Sequence, residues 1–306
     1  MIEKRGESTM KKLTALVLAL ILALSLSASL AETQLIGIPA DGTNLSRGIK
    51  LLETAGLITV DPAAGYTPEI ADITDYLYDV EIIPVAADTL PSTLQDYAAS
   101  TINGTYAIPA GLIPSRDGLI IEKQSESGDN PYVNIITARA ADADNEIYKT
   151  IVAAYQTQLV AEFLLVNYNE AYYPAFPYDS NITLTKEDAE ALILYESDPA
   201  GKTVVKVGVC GSNNDQWIVV QKILDEQGAN IYLELVEFGA YNLPNDALNA
   251  GEVDLNAFQH KAYMNKEIAD YGYSIVSIGD TLIAPLTLYS TKFHSVDELK
   301  NAAGAF

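Results

Sequence analysis

The sequence has few of the residues from which metal sites, disulfide frameworks and nucleophilic centres are built. Its 306 residues include one cysteine, Cys210, and two histidines, His260 and His294. A single cysteine excludes an internal disulfide framework and any metal site with several cysteine ligands. The two histidines form no His-Glu-x-x-His pair, which argues against a zinc site. We expect no metal and no cofactor, and we interpret Cys210, which follows a β-like run, as a small buried residue rather than a nucleophile.

Basic residues are also scarce. Lys and Arg number 18 against 41 Asp and Glu, a net charge of -23 at pH 7, which argues against a nucleic-acid or anionic-lipid partner bound through its phosphates. The chain has neither of the glycine-rich phosphate-binding loops nor the Gly-x-Ser-x-Gly elbow of serine hydrolases. The acidic run at 142–146 lacks the glycine and the distal glutamate of a calcium loop. We therefore predict a protein that is not an enzyme.

The amino terminus has the pattern of a secretory signal. Basic residues in "MKK" (10–12) precede the apolar run "LTALVLALILALSLS", and "SLA" places Ser29 and Ala31 at the small positions of a cleavage site. We predict a signal peptide at 1–31 and an exported, extracellular or periplasmic chain that is associated with the cell membrane. No cysteine follows the apolar run to carry a lipid, so the remaining route to the membrane is an uncleaved anchor at 13–31.

Short β-like runs alternate with helical segments through the rest of the chain. "LIGIP" is followed by "ADGTN", in which Asn44 is a predicted helix cap, and then by the amphipathic "LSRGIKLLETAG". "ADNEIYKTIVAAYQTQLVAEFLL" predicts one long helix, and a second α/β block begins at "VVKVGV". Because strands that alternate with helices of crossover length form mostly parallel sheets, we predict an α/β protein. Two such blocks predict two lobes with a ligand cleft between them.

Several long segments resemble one family. "FGAYNLPNDALNAGEVDLNAFQHKAYM" closely resembles the NlpA-type methionine-binding lipoproteins, which are extracytoplasmic receptors of methionine ABC importers. "IGIPADGTNLSRGIKLLETAGLI", "LPSTLQDYAASTINGTYAIPAGL" and "NPYVNIITAR" resemble other parts of the same family. The resemblance implies a two-lobe, periplasmic-binding-protein-like fold of type II. It also implies a receptor that captures methionine and delivers it to the permease and ATPase subunits of an importer.

The two blocks stand in the opposite order from that of the family. The simplest interpretation is a circular permutation, which is tolerated when chain termini lie close together at the surface. We expect the cut to fall at a hinge crossover, which removes one covalent link between the lobes and loosens their closure. The alternative is a truncated tandem of two copies. The permutation assigns a second family lobe (32–130), a return segment to the first lobe (131–176), a linker joining the old termini (177–202) and the first family lobe (203–306).

The resemblance also implies a ligand site. Arg47 matches the family arginine that grips the ligand's carboxylate, and a bidentate contact of this kind contributes on the order of 1.5–3 kcal/mol. Asn103 and Asn134 match asparagines that bind the backbone groups of the amino acid. Aromatic rings suit a thioether because sulfur packs well against them. The residues that match the side-chain cage are Tyr241, Phe258, His260 and Tyr263.

Each of these residues also has an ordinary structural interpretation. Without the resemblance, Arg47 is a surface arginine, Asn103 a turn residue and His260 a buried core histidine. Two alternatives to a methionine receptor stay open as well. One is a sensory or interaction protein that keeps the fold without transport, which the missing lipid cysteine favours. The other is a receptor for another small amino acid or a dipeptide.

Overall fold

Two five-stranded sheets, each covered by helices, organise the chain. The computed structural model describes residues 32–123 and 130–305, so the predicted signal peptide lies outside the described residues. The strands are β1 (Gln34–Pro39), β2 (Ile58–Val60), β3 (Ile73–Tyr76), β4 (Val80–Val85), β5 (Ala99–Ile102), β6 (Gly118–Ile121), β7 (Ile135–Arg139), β8 (Tyr173–Pro174), β9 (Thr203–Cys210), β10 (Ile231–Phe238), β11 (Leu255–Asn256), β12 (Ile275–Asp280), β13 (Leu282–Ile283) and β14 (Thr287–Tyr289). The helices are α1 (Gly42–Thr54), α2 (Leu90–Thr93), α3 (Gly104–Ala107), α4 (Pro114–Asp117), α5 (Glu146–Tyr155), α6 (Gln158–Asn167), α7 (Lys186–Ile193), α8 (Gln216–Glu226), α9 (Pro244–Ala250), α10 (Lys261–Tyr271) and α11 (Val296–Ala303). The predicted α/β class is confirmed.

The two sheets define two lobes. The amino-terminal lobe has the strand order β4-β1-β5-β14-β6, and the central lobe has the order β10-β9-β11-β7-β12. In each sheet three strands pair in parallel, β4-β1-β5 and β10-β9-β11, whereas β14 and β7 pair antiparallel with both of their neighbours. Because β6 and β12 lie beyond a reversed strand, four strands of each sheet run in one direction, as predicted, and the fifth runs against them. The chain enters each sheet from the other lobe through one strand, β7 in the central lobe and β14 in the amino-terminal lobe. Both of these strands run opposite to the other strands of their sheet.

The chain crosses between the lobes twice, after β6 and again after β13. The predicted assignment of 203–306 to one lobe is therefore wrong at its end. β14 pairs with β5 and β6, and α11 buries Leu299 and Ala303 in the core of the amino-terminal lobe. The expected loss of one covalent link between the lobes is wrong too. The first and last described segments belong to the same lobe, so both crossovers are continuous chain.

The first strand and the residue that follows the last helix both form backbone hydrogen bonds with Asp79. The backbone N–H of Gln34 donates to the carbonyl of Asp79 at 2.9 Å, and the N–H of Asp79 donates to the carbonyl of Gly304 at 3.1 Å. Ala305 forms a bridge with the neighbouring Tyr78. The two ends of the described chain therefore lie side by side at the edge of the amino-terminal lobe.

Two predicted helix boundaries differ from the structure. Asp41, not Asn44, caps α1, because its carboxylate accepts the backbone N–H of Asn44 at 3.2 Å and the side-chain N–H of Asn44 at 2.8 Å. The long helix predicted from "ADNEIYKTIVAAYQTQLVAEFLL" is two helices, α5 and α6. They separate at Gln156 and Thr157, where Thr157 is extended and precedes the first turn of α6.

The segment at 177–202 is docked on the central lobe by two carboxylates. Glu162 on α6 is buried and accepts the backbone N–H groups of Thr183 at 3.2 Å and Leu184 at 2.7 Å. Asp225 on α8 accepts the ammonium of Lys202 at 2.6 Å, with further bonds from hydroxyl groups of the segment. The segment is thus held at both of its ends by hydrogen bonds to charged acceptors, which are stronger than those to neutral ones.

Replacing Glu162 by Gln should destabilise the protein by about 1–3 kcal/mol at pH 7, because an amide NH2 group faces donors that need an acceptor. Burial opposes ionisation of Glu162, but hydrogen bonds from Gln158, Leu184 and Thr183 outweigh it and hold its pKa below the ordinary value. Its stabilisation is therefore complete above about pH 4.3 and is lost as the pH falls through the lowered pKa. Urea unfolding from pH 7 to pH 3 measures this. Glu190→Gln on exposed α7 is the control, and an equal loss in both variants contradicts the prediction.

Candidate functional site

A small cavity of about 20 Å³ lies between the two lobes. Its walls come from the ends of α1 and β5 on one side and from the segment around β11 and α10 on the other. All seven residues predicted from the sequence line this one cavity. The lining residues are Asn44, Arg47, Asn103, Gly104, Asn134, Tyr241, Phe258, Gln259, His260, Tyr263 and Ala284.

A chain of hydrogen bonds orders the wall from the amino-terminal lobe. The side-chain oxygen of Asn44 accepts Nη1 of Arg47 at 3.0 Å and Nδ2 of Asn103 at 3.0 Å, while its own amide donates to Asp41. The remaining oxygen of Asn103, Oδ1, is buried and has no hydrogen-bond partner among the described residues. Because burying an unpaired acceptor is unfavourable, Oδ1 of Asn103 is available to a donor from a ligand. Sequence reasoning missed Asn44, which it interpreted as a helix cap only.

Arg47 is buried, 3% exposed, and already carries an anionic partner. Its Nε donates to Glu122 at 3.0 Å, its Nη2 donates to the second oxygen of Glu122 and to the carbonyl of Ala284, and its guanidinium lies 4.7 Å from the ring centre of Tyr132. Burial opposes the positive charge, but Glu122 outweighs it and raises the pKa of Arg47 above its ordinary value. The bidentate edge that was predicted to grip a ligand's carboxylate is therefore occupied by Glu122, which the sequence analysis did not single out.

Three aromatic rings of the central lobe form the opposite wall. Tyr241 and Phe258 stack with ring centres 6.1 Å apart, and Phe258 meets Tyr263 edge-on at 5.9 Å. Tyr106 reaches across from the amino-terminal lobe and lies 4.9 Å from Tyr241, with its hydroxyl donating to the carbonyl of Gly239 at 3.2 Å. Cys210 is buried beside these rings, in agreement with its predicted role as a small packing residue. The result is an apolar, polarisable pocket that both lobes close.

His260 joins the aromatic wall to the polar one. Its Nδ1 accepts the backbone N–H of Tyr263 at 3.1 Å and caps α10, while its Nε2 is buried without a partner among the described residues. Burial, with the nearby charge of Arg47, holds the pKa of His260 well below its ordinary value, so the ring is neutral. A neutral ring that accepts at Nδ1 carries its hydrogen on Nε2. His260 therefore offers one N–H donor to the cavity, and Asn134 lies beside it in a β-bridge.

The sequence profile of the NlpA lipoprotein family matches residues 25–176 and 205–305. The chain belongs to this family. Its members are binding lipoproteins rather than enzymes, which confirms the expectation of a non-enzymatic protein. The two matched segments leave out the docked segment around 177–202.

Individual relatives align with only part of the chain. Outer membrane lipoprotein 3 of Mannheimia haemolytica is 41% identical over 133 residues, 44% of this chain and 49% of the relative. The D-methionine-binding lipoprotein MetQ of Escherichia coli K12 is 36% identical over 135 residues, 44% of this chain and 48% of the relative. A solved nutrient-binding protein of Burkholderia cenocepacia bound to methionine is 32% identical and covers 47% of this chain and 59% of its own, with a TM-score of 0.42. The chain spans about half the length of these curated relatives.

The described part of the chain has neither a candidate metal-binding cluster nor a helix that could span a membrane. Within residues 32–123 and 130–305, no cluster of three or more His, Cys, Asp or Glu side chains could hold a metal ion. Over the same ranges, every helix is too short or too polar to cross a bilayer. The polar side chains that line the cavity are a guanidinium, an imidazole, amides and the phenols of Tyr241 and Tyr263.

The neutral state of His260 should make stability depend on pH. Because its pKa is lower in the folded chain than in the unfolded chain, the unfolded state binds the extra proton, and stability falls as the pH drops below about 6.5, by up to about 1.4 kcal/mol per pH unit. His260→Asn, which retains a capping acceptor for α10 without a titrating ring, should have a smaller loss between pH 7 and pH 5.5. The exposed His294→Asn is the control for the loss of a histidine outside the cavity. Urea unfolding at each pH measures the difference, and equal slopes in all three proteins contradict the prediction.

Proposed function

We propose that the protein is an extracytoplasmic substrate-binding protein that captures methionine between its two lobes and delivers it to an ABC importer. The observation that carries the proposal is the cavity itself. It combines a buried guanidinium, an unpaired N–H donor, an unpaired amide oxygen and a wall of aromatic rings. The names of the curated relatives, several of them D-methionine-binding lipoproteins, support the choice of methionine.

The unpaired groups suit the two ends of an amino acid. A carboxylate needs donors, which Nη1 of Arg47 and Nε2 of His260 supply. An ammonium needs acceptors, and Oδ1 of Asn103 is an acceptor without a partner among the described residues. The thioether would lie against Tyr241, Phe258 and the neighbouring rings, where sulfur packs favourably. Asn134 lies beside His260 and is positioned to contact the backbone groups of the ligand.

Calorimetric titration of the chain from Glu32 onward with L-methionine tests the proposal. We expect saturable binding, weaker binding of norleucine, which replaces the sulfur by a methylene group, and no binding of methylamine or propionate alone. The thiol of Cys210 gives an independent reading, because it is buried beside the aromatic wall and burial raises its pKa. Its reaction with a thiol reagent should slow when L-methionine is added. Absence of binding heat at millimolar ligand would contradict the proposal.

We also infer that the two family lobes stand in circularly permuted order in this chain. Three observations support this: the family profile covers two long segments, the curated relatives align with less than half of the chain, and Gln34 and Gly304 meet at Asp79. A permuted chain completes both lobes by itself and should be a monomer in light scattering. A tandem that lacks its second copy should form dimers that exchange lobes, and a dimer of that kind would overturn the inference.

A further inference from the structure

Glu122 contacts Arg47 at the point where the two chain crossovers lie side by side. It follows β6 at the start of the first crossover, and its backbone N–H donates to the carbonyl of Leu286 on the second crossover at 2.8 Å. One of its carboxylate oxygens accepts the backbone N–H of Leu286 at 3.0 Å. These two hydrogen bonds to Leu286 hold both the backbone and the carboxylate of Glu122 in place, and the same carboxylate binds Arg47.

Arg47 is held by the same two crossovers. Glu122 on the first crossover binds Nε and Nη2, and the carbonyl of Ala284 on the second accepts Nη2 at 3.1 Å. A guanidinium has five N–H groups. Asn44, Glu122 and Ala284 account for four of them, and one N–H of Nη1 has no acceptor among the described residues.

We propose that Glu122 is a positioning residue for the ligand site: it holds the bidentate edge of Arg47 so that a single Nη1–H group faces the ligand's carboxylate. This inference rests on the proposed binding of an amino acid. The pair of Arg47 and Glu122 is neutral as a unit, so Arg47 is not left as an uncompensated buried charge when the cavity is empty. The fixed orientation also limits the side-chain entropy that arginine loses when a ligand binds.

Glu122 and Leu286 continue the antiparallel pairing of β6 with β14, in which Ile121 pairs with Thr287. The groups that fix Arg47 therefore lie at the edge of the amino-terminal sheet, where the first crossover begins and the second ends.

Glu122→Gln and Glu122→Ala test the proposal in two ways. The first measurement needs no ligand. With ¹⁵N-labelled arginine, the chain from Glu32 onward contains three arginines, and the Nε–H signal of Arg47 is identified by its loss in Arg47→Lys. We expect slow exchange of this hydrogen with water in the wild type, and exchange that is about tenfold faster in Glu122→Gln and faster still in Glu122→Ala.

The second measurement compares two ligands by calorimetry. L-methioninol has the side chain and the ammonium of methionine but no carboxylate. Glu122→Gln should weaken L-methionine binding roughly tenfold and L-methioninol binding by less than about twofold, because Glu122 acts on the carboxylate through Arg47. The control is Glu53→Gln, which breaks an ion pair with Lys50 on the surface of α1 and should change neither quantity.

The outcomes separate this inference from the proposed function. If the wild type binds no amino acid, the proposed function fails, and the exchange of the Arg47 Nε–H still decides whether Glu122 holds Arg47. Equal weakening of both ligands means that Glu122 is merely structural and overturns the proposal. Tighter L-methionine binding in Glu122→Gln also overturns it, because Glu122 would then compete with the ligand for Arg47.

Discussion

Arg47→Ala is expected to weaken L-methionine binding by about 10- to 150-fold. Among the described residues, Arg47 is the one cationic donor that lines the cavity, and a charge-assisted contact in a buried site contributes about 1.5–3 kcal/mol. The change also leaves Glu122 without its partner. Because breaking a buried ion pair from one side costs up to about 3–5 kcal/mol, unfolding by urea should show a clear loss of stability.

The control for Arg47→Ala is Arg116→Ala. Arg116 lies on the same lobe, is 62% exposed on its side chain and pairs with its neighbour Asp117, so its removal should change neither affinity nor stability measurably. Arg47→Lys separates the two effects, since it keeps a positive charge for Glu122 but cannot supply the same set of N–H groups. It should retain more stability than Arg47→Ala and still bind L-methionine weakly. Wild-type affinity in Arg47→Lys would contradict the role of Nη1.

Gly211→Ala is expected to weaken L-methionine binding by about tenfold or more, because it obstructs closure of the lobes. Gly211 follows β9 in the central lobe with φ +68°, and a Cβ atom there would lie 2.9 Å from the carbonyl oxygen of Thr105 on the opposite lobe. The neighbouring contact of Tyr106 with Gly239 shows that the lobes touch along this edge. A backbone atom cannot move aside easily, so the methyl group favours a more open arrangement.

Gly228→Ala is a matched control for this change. Gly228 is in the same lobe with φ +67°, but a Cβ atom there meets nothing within 4 Å. Both substitutions should lose about 1 kcal/mol of stability, because alanine is strained at positive φ. Only Gly211→Ala should also weaken binding and expose Cys210 to a thiol reagent in the presence of ligand. Equal affinities of the two variants would show that Gly211 does not control closure.

Much of the candidate site could be predicted from short contiguous stretches of the sequence. The stretch "NAFQHKAY" places Phe258, His260 and Tyr263 within six residues, and the start of α10 holds them in one wall because a helix cap and its first turn are determined locally. The same is true of Asn44 and Arg47, which lie about one turn apart on α1. The resemblance to a family then predicted which distant segments would meet, and the cavity gathers all seven predicted residues.

The roles of several of these residues depended on contacts that no local pattern contains. Which of 41 acidic residues pairs with Arg47 cannot be found from spacing, because Glu122 is 75 positions away and is brought there by the first crossover. The donor state of His260 depends on which of its nitrogens the backbone occupies. The directions of β7 and β14 depend on where the chain changes lobes.

The sequence by itself determined the α/β class, the family and the residue types of the cavity, because these follow from hydrophobic periodicity and from short contiguous motifs. The tertiary structure alone decided which donors and acceptors of those residues are still unpaired. A buried polar group is satisfied by whichever segment the fold brings against it, and only the assembled lobes fix that partner. For the described residues the result is one N–H of Arg47, one of His260 and one oxygen of Asn103 without a partner, on three residues that line the same cavity.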